Sequence, residues 1–192
     1  MTKMAKIIFK GKTKKGIGVV VRYPLMSDLN QLRNYINALS KERTFIRFQG
    51  EQLSLKEERK YLAGFLKKVR KRKAIKLLAF YNNELIGVSD IAMGEKKSDS
   101  HIGTLCITVK KEFRNQGIGK LLMKLILKTA QKELKGMKIL ELTVFGNNPI
   151  ARKMYQKFGF KEFGLLPKGL FWRHKYVDHI YMYKNLKSKK QL

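Results

Sequence analysis

Arg114-Asn115-Gln116-Gly117-Ile118-Gly119-Lys120 joins a β-branched run at 105–109 to an apolar run at 121–127 that continues as a helix. Two glycines where a strand turns into a helix let backbone N–H groups close on an anion. The helix start adds the positive end of its dipole, and Arg114 and Lys120 add full charges. That is the chemistry of a phosphate cradle. A second group of reactive residues follows at 141–155. Glu141 and Thr143 alternate onto one face of a strand. Gly146-Asn147-Asn148-Pro149 turns that strand into a helix, and the helix carries Tyr155. A carboxylate and a phenol are side-chain types that can accept and donate protons. Each has a plainer reading: Glu141 as a charged strand end, Tyr155 as a buried aromatic, Asn148 as a helix N-cap. His101 and Asp90 are further proton acceptors by type, and both also read as hairpin residues. Cys106 is a nucleophile by type, but no histidine adjoins it, and it equally reads as a small strand residue.

The elements that must hold these groups can be traced from the pattern of the chain. A lysine-rich arm at 1–15 can hold a short strand at Ile7-Ile8-Phe9. A β-rich run at 17–21 is closed by Tyr23-Pro24. Ser27-Asp28 reads as the N-cap of a helix whose Leu29, Leu32, Ile36 and Leu39 share a face. Ser54 with Glu57 is a capping-box signature for a second helix, which ends in the basic run 67–73. Strands at 75–81 and 85–93 flank Asn82-Asn83 as a hairpin. A polar loop at 94–100 leads to the strand 102–109 and the glycine loop. The next helix runs to about Leu134, before Gly136. A buried strand at 139–145 and a helix at 150–158 follow, then closing strands at 160–163 and 177–183 around a loop at 164–174. The arrangement is α+β, with a mixed, mostly antiparallel sheet of about seven strands and about four helices. One domain at 16–184 lies between the basic arm at 1–15 and a basic tail at 185–192.

The composition narrows the function classes. Lys and Arg total 43 against 14 acidic residues, a net charge of +29. Such a field attracts polyanions and phosphate-rich ligands, so non-specific nucleic-acid contact is expected. A lysine-rich proteome would give the same number. No apolar run reaches the roughly 20 residues of a membrane span. A single cysteine excludes an internal disulfide and fits a reducing cytoplasm. The three histidines lack a metal-binding spacing, and no metal is expected.

The order of elements and two motifs resemble the GCN5-related N-acetyltransferase (GNAT) superfamily. Arg114-Asn115-Gln116-Gly117-Ile118-Gly119 resembles the family's acetyl-CoA motif, Arg/Gln-x-x-Gly-x-Gly/Ala. The segment from Asn148 to Phe160 resembles its second motif, Asn-x-x-Ala-x-x-Leu-Tyr-x-x-x-Gly-Phe, with Met154 in place of leucine. The resemblance implies a GNAT fold over 16–184 and acetyl-CoA as cosubstrate. It also implies that Ile107, Thr108 and Val109 pair with the pantetheine arm. The amides from Asn115 through Gln116, Gly117, Ile118 and Gly119 to Lys120 would hold the pyrophosphate, with Arg114 close by. Asn148 would bond the arm near the thioester, and Tyr155 would protonate the leaving thiolate. Some relatives carry a glutamate base nearer the asparagine than Glu141; Thr143 holds that position here, so Glu141 or ordered water is the implied base.

The first two helices and the aromatic segment 164–174, with the one tryptophan, would flank the acceptor. Asp178, beside an aromatic-rich strand, would hold an acceptor amine or pair with a lysine. The segment 40–48 resembles part of microbial protein-lysine acetyltransferases. The acceptor is expected to be a primary amine, either a protein α-amine or lysine or a small molecule. A nucleic-acid- or ribosome-associated binding protein is the competing function. A monomer or homodimer fits the chain, and nothing calls for a membrane.

Overall fold

The computed structural model describes residues 5–186. The ends of the expected basic arm and tail, 1–4 and 187–192, lie outside the described residues. Eight strands form one sheet in the order β1-β2-β3-β4-β5-β6-β8-β7. They are β1 (Ile7–Lys12), β2 (Gly18–Arg22), β3 (Ala74–Tyr81), β4 (Glu84–Met93), β5 (Ile102–Val109), β6 (Ile139–Phe145), β7 (Lys161–Trp172) and β8 (Lys175–Asn185). The helices are α1 (Leu29–Lys41), α2 (Leu55–Arg70), α3 (Ile118–Glu133) and α4 (Pro149–Lys157). Every neighbouring pair is antiparallel except β5 and β6, which α3 joins by a crossover. No described helix is long and apolar enough to cross a membrane.

The sheet separates two layers of side chains. Ile75, Leu77, Ile86, Leu105, Leu140, Leu142 and Val144 pack against Leu122, Met123, Ile126 and Tyr155 of α3 and α4. On the other face Leu78, Phe80 and Val88 pack against Leu29, Leu32, Tyr35, Leu39 and Leu62 of α1 and α2. β3 is buried on both faces because it lies inside the sheet with a helix layer on each side.

Most boundaries follow the sequence reading, and three local features differ. The short strand at Ile7-Ile8-Phe9 extends to Lys12 and forms the sheet edge against β2. Asp28 does not cap α1 through its side chain. Its carboxylate accepts from Leu25 N at 2.7 Å and from both terminal nitrogens of Arg22, fixing a 3-10 turn at Met26–Asp28. The segment 164–174 is not a loop but most of β7 and the turn to β8. Pro167 and Gly169 are absorbed in a bulge between Leu166 and Leu170, where Lys168 takes φ 54°. An edge strand tolerates proline because its outer N–H groups need no partner. Asp178 accepts from Lys168 N at 3.0 Å and holds the bulge. The capping box forms as expected, with Ser54 Oγ accepting from Glu57 N and Glu57 Oε2 from Ser54 N.

Candidate active site

Where β5 and β6 diverge, the sheet opens into a slot. Their parallel pairing consists of Ile102↔Ile139, Gly103↔Leu140 and Thr104↔Glu141, and then ends. β5 continues to Val109 alongside β4, and β6 continues to Phe145 alongside β8. The β5 edge over 105–109 therefore has no strand partner on its β6 side. Five residues at about 3.3 Å each give an edge about 16 Å long. Unpaired strand groups bond readily to an extended chain that carries amides. Ile107, Thr108 and Val109 lie along this edge, half-buried.

The glycine loop forms the mouth of the slot. Asn115 and Gly117 adopt left-handed backbone, φ 60° and 85°, and Gly117 is the N-cap residue of α3. The helix begins its own bonding with Leu121 N to Gly117 O, 3.0 Å. Among the described residues, the amides of Asn115, Gln116, Gly117, Ile118, Gly119 and Lys120 have no hydrogen-bond acceptor. A run of unsatisfied N–H groups at a helix start has the chemistry to hold an anion. A Cβ on Gly119 would meet only Met154 Sδ at 3.7 Å and Val109 Cγ2 at 3.9 Å, ordinary contacts. Protein packing thus gives no reason for glycine there; a close ligand does. Lys120 is exposed beside these amides. Arg114 is placed differently from a phosphate clamp. Its Nε donates to Val109 O at 3.0 Å, and its terminal nitrogens grip the Glu42 carboxylate.

Near the last β5–β6 rung the proton-transfer candidates lie on opposite faces of the sheet, Glu141 on the α1–α2 side and Tyr155 on the α3–α4 side. Glu141 forms the last rung with Thr104, whose hydroxyl donates to Glu141 Oε1 at 3.1 Å. Tyr155, 8% exposed, lies in the α4 layer with its ring edge-on to Phe160. Its hydroxyl makes no hydrogen bond among the described residues, and burial raises its pKa above the usual phenol range. Cys106 adds to that rise. Solvent reaches Cys106 from the cleft, yet protein surrounds its deep side. Burial and Asp90 push its thiol up to about 12, and Lys76 partly opposes them. Asn148 caps α4 through Oδ1, which accepts from Ala151 N at 3.2 Å. Its amide NH₂ is left for a second partner.

Comparison with known proteins agrees with this geometry. The model of the Acetyltransferase (GNAT) family matches residues 36–160, from α1 to the end of the second motif. The chain belongs to the GNAT acetyltransferase family. A GNAT-family acetyltransferase from Streptococcus pneumoniae superposes with a TM-score of 0.80 and 30% identity, covering 88% of this chain and 99% of that one. An acetyltransferase from Salmonella typhimurium, solved with acetyl-CoA, shares the fold at TM-score 0.76 and 13% identity, covering 90% and 96%. An L-amino acid N-acetyltransferase from Escherichia coli is 31% identical over 106 residues, 55% of this chain. The match spans 65% of that protein's own length.

On the α1 and α2 side of this GNAT sheet, a cleft is walled by aromatic residues. Trp172 stacks on Phe45 at 5.0 Å, and Phe45 meets Phe145 edge-on at 5.8 Å. The β7–β8 turn is tied to the α1–α2 connection. Trp172 Nε1 donates to Arg43 O at 2.9 Å, and Arg173 Nη2 donates to Glu42 O at 3.1 Å. His179, buried on β8 across from Phe145, touches Tyr181, and its pKa is lowered by burial and by Arg47. Sequence reading passed over Glu42, Lys76 and His179. A lone lysine within the apolar run 74–81 was a readable signal for Lys76; Glu42 and His179 carried none. His101, read as a base or a hairpin residue, uses its carbonyl to accept from Lys138 N and Ile139 N at the start of β5.

Proposed function

We propose that this chain is an acetyl-CoA-dependent N-acetyltransferase that moves the acetyl group directly to a primary α-amine of an amino acid or a peptide N-terminus. The observation that carries the reading is the Tyr155 hydroxyl. It is protonated and unpartnered among the described residues, in the α3–α4 layer beneath the diverging strands of a slot whose mouth presents open amides. Acetyl-CoA fits this slot on the chain's own terms, because Gly119 keeps open a space that packing alone would let a side chain fill.

When bound, acetyl-CoA supplies a thioester-activated acetyl carbon. The amides of 115–120, with Lys120, would hold its pyrophosphate. The free edge at Ile107, Thr108 and Val109 would pair with the pantetheine arm, and the Asn148 NH₂ would donate near the thioester. Glu141 accepts the proton of the acceptor nitrogen, directly or through water, and Tyr155 donates one to the departing sulfur. Cys106 stays a thiol at neutral pH, which favours direct transfer over a covalent acyl-cysteine. Arg114 acts as a brace between the loop and α1 rather than as a phosphate ligand.

The acceptor class follows from the clasp between Trp172 and the α1–α2 connection. A cleft covered in this way admits the end of a molecule more readily than a chain passing across it. The L-amino acid named for the Escherichia coli relative is such an acceptor. The test is release of free CoA thiol from acetyl-CoA across L-amino acids, N-terminal peptides, lysine side-chain peptides and polyamines. Turnover with free α-amines supports the reading; turnover confined to lysine side chains or polyamines overturns the acceptor class. No turnover with any amine overturns the activity.

A further inference from the structure

We propose that Asp90, held by the buried Lys76, is the docking group for the acceptor's ammonium; the assignment rests on the acetyltransferase reading above. Lys76, Asp90 and Cys106 lie in one cross-strand row over β3, β4 and β5, on the face that carries the cleft. Cys106 borders the slot, so Asp90 stands one strand spacing, about 4.8 Å, further out.

Lys76 is 4% exposed. Its Nζ donates to Asp90 Oδ2 at 2.7 Å and to Tyr61 Oη at 3.4 Å, and lies over the rings of Phe65 and Tyr61. Burial works against its charge, but Asp90 and Tyr61 outweigh burial and raise its pKa, so the ammonium persists. A buried ion pair is a poor stabilising device, because two apolar side chains of similar volume serve as well or better. Its use here is orientation. Asp90 is 17% exposed at the side chain, and among the described residues only its Oδ2 is bonded. The other oxygen is left for a donor in the cleft.

A second carboxylate strengthens the local field. Glu58 on α2 is 4% exposed and has no hydrogen-bond partner among the described residues. Burial raises its pKa and Lys76 partly offsets that rise. In a chain of net charge +29 an approaching ammonium is repelled by the bulk surface. Asp90, with Glu58 behind it near Lys76, supplies the local attraction. The roles then divide: Asp90 receives the ammonium, and Glu141, hydrogen-bonded to Thr104 at the slot's closed end, takes the proton.

The test is calorimetric titration of L-phenylalaninamide into protein saturated with CoA, a complex that cannot transfer. The neutral N-acetyl-L-phenylalaninamide serves as the uncharged control. Asp90→Asn is expected to weaken the cationic probe about tenfold, the scale of one charge-assisted hydrogen bond, and to leave the neutral probe unchanged. Asp90→Asn strands Lys76 and can lower stability, so Lys76→Met/Asp90→Leu is measured beside it. That double variant should melt no lower than the parent, bind CoA normally and still lose the cationic probe. Equal weakening of both probes, or binding unchanged in the double variant, overturns the docking role. Binding of the cationic probe without turnover by the same protein supports Asp90 while overturning the transferase reading. Turnover with no charge-dependent binding does the reverse.

Discussion

Arg114 and Glu42 stand 72 residues apart, yet two guanidinium N–H groups of one grip both carboxylate oxygens of the other. The pair ties the glycine loop to the end of α1, where Glu42 O and Arg43 O also receive the β7–β8 turn. Glu42 thus joins the two halves of the site, its carboxylate holding the loop and its backbone carbonyl holding the β7–β8 turn. Glu42→Ala is expected to cost about 1–2 kcal/mol, as for a partly exposed bidentate pair. In a chain of this size that is a fall in Tm of about 3–6 °C. It should weaken both acetyl-CoA and amine binding. An affinity loss confined to acetyl-CoA would show that the brace does not reach the acceptor side.

Gly119 separates stability from ligand binding. Alanine there meets no atom closer than 3.7 Å and suits a helix better than glycine, by about 0.5–1 kcal/mol. Gly119→Ala should therefore raise or preserve the Tm of the free protein while weakening acetyl-CoA about tenfold or more, as a Cβ intrudes on the cradle. Gly117→Ala should instead lower Tm, because its φ of 85° strains any side chain. Titration calorimetry with thermal melts checks both.

Tyr155→Phe removes a hydroxyl that bonds to no described residue, so the fold should keep its stability. The kcat should fall about 10²–10⁴-fold, the usual worth of a placed general acid, with acetyl-CoA affinity unchanged. The pH dependence follows from signs. The docked amine, ordinarily of pKa about 7.7–8.0, must lose its proton before transfer, so kcat at saturating amine should rise with pH through that region. Tyr155 must keep its proton, and its raised pKa moves the falling limb above the ordinary phenol value. A fall in kcat at saturating amine beginning near the amine's own pKa would contradict this.

Cys106 tests the route of transfer. A thiol near 12 leaves about one molecule in 10⁵ as thiolate at neutral pH. Cys106→Ala should therefore retain most of the turnover, and no acetylated protein should accumulate when acetyl-CoA is mixed with the parent alone. Mass spectrometry of that mixture decides.

The parts of the site legible in the chain were those set by local chemistry. Gly117, Gly119, Asn148 and Tyr155 sit in short runs whose strand-to-turn-to-helix character could be read directly. What escaped was set by pairing across the sheet. Lys76 meets Asp90, in one row with Cys106, only because three strands align in register, and Glu42 meets Arg114 only because α1 ends beside the loop. β7 was hidden for a different reason. Gly164, Pro167 and Gly169 carry turn chemistry, and an edge strand with bulges can absorb them where an inner strand could not.

Trp172 is the chain's one tryptophan and lies in the clasp itself, so its emission reports on that contact. It stacks on Phe45 and donates to Arg43 O, and Arg173 lies over its ring at 4.8 Å. If Arg114 and Glu42 link the loop to this clasp, acetyl-CoA binding alone should change Trp172 emission, although the indole lies on the acceptor side of the sheet. Glu42→Gln keeps the side chain's shape and loses the charge that holds Arg114. It should bind acetyl-CoA and abolish most of the emission change. Trp172→Ala should raise KM for the amine more than KM for acetyl-CoA, because the lost contacts lie on the acceptor side of the sheet. An emission change that persists in Glu42→Gln would mean that the two halves of the site communicate by another path.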